Sequence, residues 1–161
     1  MVHAVDSIVE ILDLNTRLFR NCLDGADDRA IRTRMTGSTN SLHFLGCHLV
    51  ETRYYMSTMV GFPEPTPFPE LAEVRTIDEM PDPGPSLGDI LEAWNYISPL
   101  LEARLRGLDE DDLLRESPAS FPTRSATVFG AMSFLAQHES YHIGQMALLR
   151  KALGFDAMSY R

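Results

Sequence analysis

Apolar residues recur along this chain at spacings of three and four, in four long stretches separated by breakers. That is the period of helices that pack through one face. The first stretch, roughly Ala4 to Leu23, sets Val5, Ile8, Leu12, Phe19 and Cys22 on one stripe, widened by Val9, Ile11 and Leu18, and Asp24-Gly25 stops it. Residues 27–37 are charged and predict irregular chain or a short turn. The second stretch opens near Ser38-Thr39-Asn40, all good N-cap residues, and ends at Gly61; its stripe reads Leu45, His48, Thr52, Tyr55, Met59. From Gly61 to Pro85 the chain holds seven of its ten prolines. They favour extended backbone over helix, which reads as a crossover strap between two bundle helices, although loops of this length also cover sites.

The third stretch starts at Ser86 with Asp89 three residues on, a capping-box pair, and turns Ile90, Leu91, Trp94, Ile97, Leu101 and Leu105 inward until Gly107. Pro99 within it predicts a kink. Asp109 to Leu114 predicts one acidic turn, Pro118 and Pro122 break the chain again, and the last stretch runs from about Ser125 to Leu153 with Gly154 behind it. No segment alternates as a strand does. The expectation is an all-α, four-helix bundle with a long Pro-rich crossover between helices 2 and 3, forming one domain over residues 1–161.

Composition narrows the partners. The 161 residues are 44% hydrophobic, ordinary for a globular chain, and carry a formal charge of −9. Nucleic acid and anionic membrane both call for a basic surface, so neither is expected as a partner. The start, MVHAVDSIVEILDLN, is acidic and amphipathic, unlike a signal peptide, and no apolar run reaches membrane-spanning length. Two cysteines make no disulfide framework and suit a reducing compartment, so the expected location is cytoplasmic.

The candidate chemistry lies on the last stretch. Stepping by fours and threes gives Ala131, Leu135, His138, His142, Gln145, Leu149, Ala152. His138 and His142 are four residues apart, within about 40° on one helix face, the spacing that lets two imidazoles grip one metal ion. Unpaired polar groups on a packed face cost free energy, so something must pair them. His48 lies on the inward stripe of the second helix and completes a set of three. His43 points about 140° away from it and Cys47 about 100° away, so neither joins the set; Cys47 is expected to be a small buried residue, and His3 is read as solvent-exposed. Three neutral ligands leave coordination positions open, as catalytic sites do. Gln145, one turn beyond His142, is a candidate to orient a ligand, and Glu51, three residues after His48, is either a catalytic carboxylate or an exposed one. Tyr55 and Trp94 are read as core residues.

The string HESYH also fits the HExxH of zinc proteases. Only 19 residues follow His142, with no His or Glu among them, and Gln145 stands where an extended protease motif needs Gly. Glu139 lies about 80° off the mean direction of the two imidazoles. It is read as a solvated or interhelical carboxylate whose loss has only a modest effect, and the chain as not a zinc protease.

His138-x-x-x-His142 followed by Gly144-Gln145, with His48-Leu49 and Arg53 on the second helix, resembles the DinB-like (DinB/YfiT) superfamily over nearly the whole chain. Many relatives carry Arg between the second His and the Gly, where this chain has Ile143. The resemblance implies a four-helix bundle of up-down-down-up type, a divalent metal on His48, His138 and His142, and a homodimer. It also implies thiol-dependent S-transferases or isomerases among the relatives, using bacillithiol, mycothiol or glutathione. The expected activity is therefore a metal-dependent transferase acting with a low-molecular-weight thiol on a small-molecule substrate, with Zn or Ni as the metal and Fe or Mn also compatible. A hydrolase using metal-bound hydroxide, oriented by Glu51 or Gln145, and a non-catalytic metal-binding module are the alternatives.

Overall fold

The computed structural model describes residues 5–160. His3, and Ala4 at the expected start of the first helix, lie outside the described residues. Six helices follow in order: Asp6–Leu23 (α1), Asp28–Arg32 (α2), Leu42–Met59 (α3), Leu87–Arg106 (α4), Glu110–Leu114 (α5) and Val128–Ala152 (α6). Among the described residues the only β-type pairing is an isolated bridge between Glu116 and Thr127. The fold is all-α.

Caps explain the boundaries. The side chains of Asp27, Ser41, Ser86, Asp109 and Thr127 each accept a backbone N–H at the start of α2 to α6. Ser41, rather than the Ser38-Thr39-Asn40 run before it, therefore sets where α3 begins. Gly61, at φ +84°, turns the chain off the end of α3 in a conformation that side chains resist.

The four long helices pack α1 on α4 and α6, and α3 on the same two. Contacts fix their directions. Asn15 on α1 donates to Ser140 on α6 at 2.9 Å, and Arg150 further along α6 donates to the carbonyl of Cys22, so α1 and α6 advance together. Gly46 of α3 lies against Ile90 of α4, and Arg53 donates to Ser98, so α3 and α4 are also parallel. Met59 and Val128 share a cluster while His48 meets His138, so α3 opposes α6. The order is up-down-down-up, as the resemblance implied.

Parallel α3 and α4 account for the strap. α3 has 18 residues, about 27 Å of helix, and the chain must travel back that far before α4 can start. The strap contains two single 3-10 turns, Pro69–Leu71 and Ile77–Glu79, despite its prolines. Phe68 and Leu71 are buried and pin it to the core. His43 donates from Nε2 to the carbonyl of Pro85 at 2.8 Å, and Arg32 donates to the same carbonyl at 2.7 Å.

The interior is two apolar clusters with a polar layer between them. Phe19, Leu49, Trp94 and Met146 belong to one; Leu12, Met56, Leu101 and Met132 belong to the other. At the boundary Arg53 is fully buried and pairs in two-pronged fashion with the equally buried Glu139, Nη2 to Oε1 at 2.7 Å and Nε to Oε2 at 2.9 Å. Its remaining donors reach Thr16 at 2.7 Å, the Leu12 carbonyl at 3.0 Å, and Ser98, while its guanidinium lies 3.7 Å over the Trp94 ring. One side chain thus ties all four long helices.

Several expectations change. Ile11 and Tyr55 are exposed rather than core, with Tyr54 buried in place of Tyr55, and Asn15 occupies the α1 stripe, bonded to Ser140. Trp94 is core, as expected. Glu139 is interhelical but not solvated. α4 runs through Pro99 without a break.

Candidate metal centre

His48 comes from the middle of α3, and His138 and His142 from the middle of α6. The fully buried line of α6 passes through Leu135, Ala136, Glu139, Ile143 and Met146, so the two histidines sit on its flank and are half-buried. A site there is reachable from outside. One ligand nitrogen from each of His48, His138 and His142 can be chosen so that all lie within 4.8 Å of one another. Nε2 of His48 is 3.0 Å from Nε2 of His138, and the ring centres of His138 and His142 are 4.4 Å apart.

The electrostatics suit a cation. Burial, with some help from the neighbouring imidazoles, pushes His48 down to about 4 and also lowers His138. Both rings are therefore neutral near pH 7 and keep a lone pair. His142 Nδ1–H donates to Gln145 Oε1 at 2.7 Å, which fixes the ring's orientation and leaves Nε2 as its lone-pair atom. Three imidazoles from two opposed helices, with no acid among them, make a donor set that fits a divalent ion.

The other sequence candidates stand nearby in different roles. Gln145 touches a ligand rather than the ligand group's centre. Glu51 is half-buried, outside the group of three, and accepts a hydrogen bond from Thr66 on the strap. Desolvation raises its carboxyl above the usual range, partly offset by the Thr66 bond. Cys47 is buried at 3.9 Å from His43 Nε2, and Cys22 is buried against Met158; burial pushes both thiols up to about 12. Neither belongs to the histidine group. Ile143 is buried on α6, which explains an apolar residue there.

Sequence reasoning missed two features. Each imidazole has an aromatic neighbour: Phe44 by His48 at 6.2 Å, Phe134 by His138 at 5.8 Å and Tyr141 by His142 at 5.3 Å between centroids. The spacings 44/48 and 134/138 were the available signal, since i,i+4 residues meet on a helix; Tyr141 is simply the chain neighbour of His142, and no such spacing marks it. The strap, read mainly as a crossover, also roofs a cavity whose wall includes His48.

A family model described as the DinB superfamily matches residues 11–146. No curated protein matches the chain. The chain belongs to the DinB superfamily.

Proposed function

We propose that this DinB superfamily member is a divalent-metal-dependent enzyme, most concretely a transferase that joins a low-molecular-weight thiol to an electrophile. The observation that carries the reading is the convergence of three imidazoles, with no acid among them, on the flank of the core. His48, His138 and His142 would hold Zn or Ni, and the bound ion's undiminished charge would acidify a thiol, supplying a nucleophile near neutral pH. Gln145 holds the tautomer and angle of His142. Burial keeps His48 unprotonated. Cys22 and Cys47, as neutral enclosed thiols, take no part, so the reacting sulfur comes from the small thiol.

A metal-dependent hydrolase is the second reading, favoured by Glu51, a half-buried carboxylate one turn from His48 that is suited to taking up a proton. Elemental analysis of untagged protein, followed by steady-state assay with a thiol and a haloarene, tests the proposal. About one divalent ion per chain is expected, with loss of metal and transfer together in His142→Ala. Full metal occupancy after replacing all three histidines would overturn it, and turnover of an ester without a thiol would favour the hydrolase.

A further inference from the structure

Beside the histidine group lies a cavity of about 130 Å³ between α3 and the strap. His48 is part of both, so whatever fills the cavity sits against one of the three imidazoles. A cavity of about 150 Å³ with apolar walls holds one benzene molecule, so this space has the size of one ring or a short branched alkyl group.

The lining sets the chemistry. Phe44 and Leu71 come from α3 and from the strap's first 3-10 turn, and Val74 and Met80 from the strap beyond it. The polar groups on the wall are already engaged. Glu51 accepts from Thr66, and His48 meets His138. Arg75, also on the lining, turns its guanidinium to the carbonyls of Ala72 at 2.9 Å and Val74 at 3.2 Å, and lies 3.6 Å from Glu73. Among the described residues no buried side-chain polar atom lacks a partner. An anion entering the cavity would face the Glu51 carboxylate, while the one guanidinium on the lining, Arg75, is two-thirds exposed and its charge is screened by water.

We infer that this cavity seats the apolar part of the substrate, a compact and non-anionic group about one ring in size, and that the strap thereby sets which electrophile reaches the centre. The inference rests on the transferase reading only in calling the occupant a substrate; the binding itself does not require turnover.

Fluorine NMR of fluorobenzene with the full chain, with and without added zinc, tests it, with metal content measured on the same samples. Saturable binding is expected in wild type, at least tenfold weaker in Val74→Trp, which fills the cavity from the roof. Met80→Trp is the second variant, should the first not fold, with the same expectation. Fluorobenzoate, the same ring with a negative charge, should also bind at least tenfold more weakly. No saturable binding to wild type, equal binding by a folded filled variant, or equal binding of fluorobenzoate would overturn the inference. Metal bound without fluorobenzene binding would remove the cavity inference alone; fluorobenzene bound by protein that takes up no metal even with zinc added would remove the metal-dependent reading and leave the cavity.

Discussion

Gln145 Oε1 lies 2.7 Å from Nδ1 of His142, so in the proposed transferase it would act through that ring and not on the bound thiol. Its replacement by Ala should leave metal in place but lower the transfer rate, by about 10–100-fold as for other groups that orient metal ligands; metal content and rate measured on one preparation check this. The two thiols predict a pH effect of definite sign. Cys22 and Cys47 stand near 12 in the folded chain, against 9.0 for a free thiol. Above pH 9 the unfolded chain loses these protons first, so it binds fewer than the folded chain and stability falls as pH rises through 9 toward 12. Tyr54, also raised to about 12 by burial, adds in the same direction. Below pH 9 these groups contribute no slope. Denaturant titrations between pH 8 and 11 read this directly, and a thiol reagent at pH 8 should label neither cysteine until the protein unfolds. The histidines were legible from the sequence because a four-residue spacing survives any uncertainty about where a helix starts. Tyr54 and Tyr55 were not, because α3 is buried around most of its circumference. A helix covered on nearly all sides shows no polar face, and a one-residue error then rotates every assignment by about 100°.

At the scale of elements, the Arg53–Glu139 pair decides how the helices register against one another. Glu139→Gln leaves a fully buried guanidinium without its counter-charge, and breaking such pairs costs about 3–5 kcal/mol. The expected outcome is therefore a loss of stability of that order in chemical denaturation. Replacing both residues together, as Arg53→Met with Glu139→Leu, should recover most of the loss, because no charge is then left buried unpaired. A pair worth as little as a surface bridge would show neither effect. Its signal was present in the sequence: Arg53 interrupts the apolar run of α3 and Glu139 that of α6, with opposite signs. Angular reasoning aimed only at the metal set Glu139 aside without asking what lay on its own side. Pro99, where a kink was expected, does not end α4. Pro99 and Asn95, whose carbonyl it leaves without a helical donor, are both exposed, so water can serve that carbonyl and the helix continues.

For the whole molecule, the helical class and the crossover were readable from period and proline content. The parallel pairing of α3 with α4 was not, because repeat spacing says which face is buried and nothing about direction. Among the described residues no helix is long and apolar enough to cross a membrane. The proposed homodimer rests on the superfamily likeness alone. The apolar face of α1 offers no further support, because it is covered within the chain, with Ile8, Val9, Leu12 and Phe19 all buried. Light scattering at micromolar concentration should give twice the chain mass, and a monomer there would count against it. The pairing of α1 with α6, the most extensive between helices here, also bears on synthesis. A ribosome delivers α1 well before α6, so the side of α1 that packs on α6 stays uncovered until residues 128–152 have emerged. Two of the three histidines arrive on that same final helix. Nothing released short of it carries either a closed interior or a complete set of ligands, so an interrupted product is left to chaperones and proteases and cannot persist as a half-working protein.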